Sequence, residues 1–240
     1  MQAAVRVFVD FDGTISRQDT TDLLLERFAD PQWLNVEARW LRGEIGSREC
    51  MAEQVSLLRM APGDLNECLS HIEIDPDFPA FVRFCLKRGI PVAVLSDGLD
   101  IVVETVLQRA GIFLPILANQ ANLIAHDRWS LSFPYMRQDC VSAAGNCKCA
   151  KLTEGDRYVQ TSNILIGDGR SDFCGAKSAR AAFAKGRLLE HCRASGVRHV
   201  PFLTFSDLIP NFERWIDDNS SPRRSPRETV RVRPSVNAGL

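Results

Sequence analysis

The chain has 240 residues, 45% of them apolar, and its 29 basic and 30 acidic side chains leave a formal net charge of −1. That length can bury a sizeable core, as one domain with an insertion or as two small ones. The balanced charge argues against nucleic acid or an anionic membrane surface as a partner, and no apolar run approaches the roughly 20 residues of a membrane span.

In chain order, Val5 to Val9 form a short apolar run that stops at Asp10-Phe11-Asp12-Gly13-Thr14. Such a run predicts a strand covered on both faces. It is too short for a signal peptide, so a cytoplasmic protein is expected. Two carboxylates at a strand end are costly to desolvate unless a cation compensates them, and a hard, oxygen-seeking ion such as Mg²⁺ is the natural choice. Residues 16–74 read as helices. Asp19, Thr20 and Thr21 offer N-cap chemistry ahead of Leu23-Leu24-Leu25. Trp33, Val36, Trp40 and Leu41, then Met51, Val55 and Leu58, recur at helical spacing, and Pro62-Gly63-Asp64 is a break. A block this long exceeds a single crossover helix and predicts a cap over the sheet edge.

A helix from Phe78 to Cys85 stops at Gly89 and leads to a strand, Val92 to Leu95, that ends in Ser96-Asp97-Gly98. A helix from Ile101 to Ala110, a strand–turn–strand from Leu117 to Phe133 with its turn near Asp127-Arg128, and a short helix over 148–156 come next. Asn163 to Ile166 is a third strand of the same kind, ending in Gly167-Asp168-Gly169-Arg170-Ser171-Asp172. A helix from Asp172, short strands near Ala182-Phe183 and Val200 to Leu203, and a helix from Phe205 to Ile216 complete the globular part. In open α/β sheets ligands bind at the carboxyl ends of the strands, so Asp10, Asp12, Ser96 and Asp168 are expected to converge on one site.

From Ser220 the sequence interleaves prolines with five arginines and one glutamate, a net +4 against about −5 for residues 1–219. The stretch 220–240 reads as a disordered basic tail with little to bury. Deleting it is expected to leave the melting temperature and kcat/KM near wild type, as a thermal melt and a steady-state assay of the truncated chain will check. Eight cysteines without a signal sequence imply reduced thiols. Cys140, Cys147 and Cys149 lack the paired C-x₂-C spacing of zinc sites, which argues against zinc. Cys50, Cys68, Cys85, Cys174 and Cys192 fall in apolar or helical patterns and read as core.

The order Asp10-x-Asp12, Ser96, lysine, Asp168 and Asp172 resembles the motif set of the haloacid dehalogenase superfamily over about residues 5–210. The resemblance implies a Rossmann-like parallel α/β core from 1–15 and 75–219, with a helical cap inserted at 16–74. It implies a carboxylate nucleophile at Asp10 that forms an aspartyl-phosphate, and a general acid/base at Asp12. Mg²⁺ would sit on Asp10, the backbone carbonyl of Asp12, and Asp168, with Asp172 in support. Ser96, Asp97, Gly98 and a lysine would bind the phosphate. Of two candidate lysines, Lys148 is preferred to Lys151 because it lies 20 residues before Asp168, as in phosphoserine phosphatase-like members. The second acid, Asp12, favours hydrolysis of a small phosphate ester.

Two branches of the superfamily resemble the cap. Phosphoserine phosphatases carry a glutamate where this chain has Asp19, and an arginine before a Val-Ser-Leu-Leu segment; here Val55-Ser56-Leu57-Leu58 follows Gln54. A glutamine lacks the bidentate cation that a substrate carboxylate wants. The methionine-salvage phosphatases acting on 2-hydroxy-3-keto-5-methylthiopentenyl-1-phosphate are matched by Phe28-Ala29-Asp30-Pro31-Gln32-Trp33, Gly145-Asn146-Cys147-Lys148 and Pro201-Phe202-Leu203-Thr204-Phe205. The alternatives are a phosphoserine phosphatase, a phosphotransferase, and a non-catalytic phosphate-binding regulatory module; the complete motif set argues against the last.

Overall fold

The first apolar run alternates across strand β1 (Ala4–Val9): Val7 and Val9 pack on one side of the sheet and Phe8 on the other, all three buried. The computed structural model describes residues 4–154 and 161–220. Its strands are β1, β2 (Val92–Leu99), β3 (Ile116–Ala125), β4 (Arg128–Ser132), β5 (Thr161–Gly167), β6 (Ala181–Ala184) and β7 (His199–Pro201), in the spatial order β4-β3-β2-β1-β5-β6-β7. All pairings are parallel except that of β4 with β3. The fold is α/β, with β1 at the centre between β2 and β5.

Between β1 and β2 the chain makes helices α1 (Thr20–Phe28), α2 (Trp33–Leu41), α3 (Ser47–Ser56) and α4 (Pro62–Ser70) before α5 (Phe78–Lys87). The insert leaves and returns at one place: Arg17 N donates to Glu73 O at 3.0 Å and Asp75 N to Ile15 O at 2.8 Å. It is tied to the sheet by Ser47 Oγ on Asp97 Oδ2 at 2.5 Å, and to the loops beside it by Arg48 N on Ala143 O at 3.0 Å and the Arg170 guanidinium 4.8 Å from the Trp40 ring.

Helices α5, α6 (Asp100–Arg109) and α10 (Phe205–Ser220) cover the Val7/Val9 face. Phe205 meets Phe78 at 4.9 Å and Phe81 at 5.3 Å between ring centroids, a packing that locks α5 to α10. Helices α7 (Lys148–Thr153), α8 (Phe173–Ser178) and α9 (Gly186–Ser195) cover the Phe8 face through Leu152, Ala176, Leu188 and Cys192. No helix among the described residues is long and apolar enough to cross a membrane.

The sequence reading omits α9, whose buried residues are Leu188 and Cys192, one turn apart, with charged neighbours around them. The last strand stops at Pro201 rather than Leu203, because the Asp207 side chain takes the Leu203 and Thr204 amides at 3.1 and 2.7 Å as a cap for α10. That helix runs to Ser220, four residues beyond the predicted Ile216. The expected basic tail, Ser220 apart, and the end of the helix predicted over 148–156 lie outside the described residues.

Candidate active site

Past Val9 the chain turns sharply over Phe11–Ile15, with Gly13 at φ 70°. A β-carbon at Gly13 would be in the left-handed region and would run into the Asp168 carboxylate, so only glycine brings the β1 and β5 ends this close. Thr14 Oγ1 donates to Asp168 Oδ1 at 2.7 Å across the same gap. Asp10, 4% exposed, accepts from Lys148 Nζ at 2.6 Å.

Lys148 is 1% exposed and opens α7. Its ammonium also donates to Asp172 Oδ1 at 2.7 Å and Ser171 Oγ at 3.3 Å. The other Asp172 oxygen accepts the Asp168 and Gly169 amides at 3.2 Å each. Both oxygens of this fully buried carboxylate are thus committed to holding Lys148 and the loop after β5. Lys151 pairs instead with Glu154 at the surface, at 2.9 Å.

Charge is unevenly compensated. Burial, then repulsion from Asp172, holds the Asp10 carboxyl well above the ordinary range, although Lys148 pulls it down. Burial also raises Asp168, with Asp172 adding to the rise and the Thr14 hydroxyl opposing it. Burial alone would lower Lys148, but Asp10 and Asp172 outweigh it and keep the ammonium charged. Oxygens of Asp10, Asp168 and Asp172 lie within 4.8 Å of one another. Three carboxylates around one ammonium leave negative charge in a buried cluster of hard oxygen donors, and this donor set fits a divalent ion such as Mg²⁺.

Asp12 stands apart from that cluster. Its Oδ1 accepts from Thr20 N at 2.8 Å and Thr20 Oγ1 at 2.5 Å, which aims the carboxyl from the start of α1. Burial first and the Asp19 carboxylate next raise it to about 7, against the Thr20 hydrogen bonds. Gly98 lies against it: a β-carbon there would stand 2.7 Å from Asp12 Oδ2 and 3.1 Å from Ser96 Oγ.

Ser96, 1% exposed, accepts the Gly98 amide on its hydroxyl at 2.9 Å. The Asp97 carboxylate is a joint: it receives Ser47 Oγ from α3, Asn119 Nδ2 from β3 and the Asn146 amide, the last two at 3.2 and 2.9 Å. Asn146 also donates its side-chain amide to Ser96 O at 2.9 Å and Leu117 O at 2.6 Å, fixing the end of β2. In the insert, Asp19 is the N-cap of α1, accepting Asp22 N at 3.0 Å. Gln54, 2% exposed, donates to Glu37 Oε2 at 3.0 Å inside the helical insert. Thr14, Thr20, Ser171 and Asn146 stand in the quoted sequence runs without a role at the site. Each adjoins a motif residue, but only the folded geometry shows what it holds.

The haloacid dehalogenase-like hydrolase family model matches residues 7–177. The chain is 31% identical over 212 residues to a 2-hydroxy-3-keto-5-methylthiopentenyl-1-phosphate phosphatase of an Exiguobacterium species, covering 85% of this chain and 95% of that one. It is 31% identical to the phosphatase of the same name from Geobacillus kaustophilus, over 87% and 95% of the two chains. Among solved structures it is similar in fold to a phospho-aspartyl intermediate analogue of phosphoserine phosphatase, with a TM-score of 0.65 and 18% identity over 88% of this chain and 99% of that one.

Proposed function

We propose, for a chain that belongs to the haloacid dehalogenase-like hydrolases and is a phosphatase, that it hydrolyses a small phosphate monoester with Mg²⁺ through an aspartyl-phosphate on Asp10. The observation that carries this reading is the Asp10–Lys148–Asp172 chain at 2.6 and 2.7 Å, with Asp168 beside it and Asp12 separately held. Asp10, Asp168 and the backbone carbonyl of Asp12 would hold Mg²⁺, which supplies charge neutralisation for the phosphoryl group and a lower ionisation threshold for its carboxylate ligands.

The protein's own groups do the rest. Lys148 orients Asp10 and neutralises charge shared by nucleophile and phosphate. Ser96 and the backbone amides after it receive phosphate oxygens. Asp10 attacks phosphorus while Asp12, protonated, gives its proton to the leaving oxygen. Asp12, then a carboxylate, takes a proton from the water that attacks phosphorus of the Asp10 acyl phosphate; the P–O bond to Asp10 breaks, phosphate leaves and both groups return to their starting states.

The substrate we propose is 2-hydroxy-3-keto-5-methylthiopentenyl-1-phosphate, named by relatives that match nearly the whole chain. Gln54 supports this over phosphoserine: its amide is spent on Glu37, and no guanidinium stands at that place to grip a substrate carboxylate. A panel of phosphate esters assayed with Mg²⁺ tests the choice. A neutral keto- or enol-bearing phosphate is expected to give a higher kcat/KM than phosphoserine, by at least about tenfold for one lost charge-assisted pair. Phosphoserine as the best substrate would overturn it.

A further inference from the structure

The stretch 133–147 joins β4 to α7 without a helix or strand of its own. Unstructured connections beyond about 12–15 residues are uncommon in compact domains and are usually functional. This one has a demanding task, since it presents Asn146 to the end of β2 and places Lys148 within 2.6–2.7 Å of two carboxylates. Its backbone includes Ala143 at φ 44°, a conformation that costs a non-glycine residue energy.

Three thiols converge there. The sulfurs of Cys140, Cys147 and Cys149 all lie within 4.8 Å of one another, and Cys147 and Cys149 are 3.3 Å apart. The Ser142 hydroxyl lies 3.4 Å from Cys140 Sγ and 3.8 Å from Cys174 Sγ, at the start of α8, which sets a fourth thiol beside the three. A tetrahedral Zn²⁺ with Zn–S bonds of ~2.3 Å sets its sulfurs about 3.8 Å apart. Among the three clustered thiols, the 3.3 Å pair and the 4.8 Å limit bracket that edge. Four sulfur donors select a soft or borderline tetrahedral cation and exclude Mg²⁺. The spacing C-x₆-C-x-C conceals the site in the sequence, because its fourth donor comes from a different helix.

We propose that Cys140, Cys147 and Cys149, with Cys174 as fourth ligand, bind a structural Zn²⁺ that anchors the 133–149 loop. Lys148 lies between two of the ligands, so the ion holds the lysine in place without touching substrate. Binding releases the thiol protons to solvent and leaves four Zn–S bonds. This site is separate from the carboxylate cluster and does not depend on the catalytic reading.

The test uses the full reduced chain, stripped of metal and titrated with Co²⁺ in excess Mg²⁺. Expected is a near-ultraviolet sulfur-to-cobalt charge-transfer band, complete at one equivalent and abolished by Zn²⁺. Carboxylate ligands give no such band, so cobalt at the Asp10 cluster does not imitate it. Cys140→Ser is expected to remove the band and the bound zinc, and Cys174→Ser to weaken both. Zinc is expected to raise the melting temperature of wild type and leave that of Cys140→Ser unchanged. Absence of the band in reduced wild type overturns the proposal without recourse to any variant. So does an undiminished band in Cys140→Ser, or a thiol titration of the chain isolated without reductant that finds fewer than all eight cysteines because a disulfide has closed in the cluster.

Discussion

Asp10→Asn is expected to fold and to lose turnover by roughly 10⁶-fold, the scale on which enzymes fail when their nucleophile is removed. Asparagine keeps the shape and an oxygen for Lys148 Nζ, now 2.6 Å from Asp10, but it cannot form the acyl phosphate. The same variant reports on stored charge. Asp10 is held above the ordinary carboxylate range, first by burial and then by Asp172. A carboxyl raised on folding favours the fold while protonated, and that contribution is lost as pH rises from the ordinary range through the raised one. Metal-free wild type at neutral pH therefore carries a penalty that asparagine lacks. The variant is expected to melt no lower than metal-free wild type, with a flatter dependence on pH, and to gain less from added Mg²⁺. Thermal melts with and without Mg²⁺, beside a turnover assay, measure all three. Wild-type turnover in pure Asp10→Asn would remove Asp10 from the mechanism.

Asp12→Asn is expected to slow the hydrolysis of alkyl phosphates by about 10²–10⁴-fold, and much less for nitrophenyl phosphate, whose leaving group needs no proton. Wild-type activity should carry the same signature. Burial and Asp19 raise Asp12 to about 7, so the protonated acid is lost above neutrality. With alkyl phosphates kcat/KM should fall as pH rises past that region, and with nitrophenyl phosphate it should stay flatter. Single-turnover phosphorylation across a series of leaving groups decides the matter: an equal loss for good and poor leaving groups would exclude the acid role. Thr20→Val gives a milder form of the same experiment, since it removes one of the two Thr20 hydrogen bonds that aim Asp12.

The three strands that carry the site were readable because each is buried on both faces, so its sequence is a continuous apolar run, and because each ends in groups that belong at a sheet edge. Val7, Val9, Ile164 and Ile166 are almost wholly buried, and no surface strand tolerates such a pattern. Helix α9 was not readable because two buried side chains within ten residues make a weak period. The Asp97 carboxylate was expected near phosphate, but it joins Ser47, Asn119 and Asn146, drawn from three separate parts of the chain. Spacing along one strand carries no trace of such partners. What separates the two lysines is surroundings that only the fold supplies: Lys148 is enclosed by two carboxylates and Lys151 pairs with Glu154 at the surface.

The central position of β1 has a cost during synthesis. Strand β1 leaves the ribosome before both of its partners: it pairs on one side with β2 at Val92 and on the other with β5, which begins at Thr161. At ~5–20 residues per second, the roughly 150 residues between β1 and β5 represent about 8–30 s of translation. Throughout that interval an apolar strand with an open hydrogen-bonding edge is exposed to neighbouring nascent chains. A ribosome-bound chain halted before Thr161 should therefore be sensitive to protease and be held by chaperones, and one extended past β5 and β6 should become resistant.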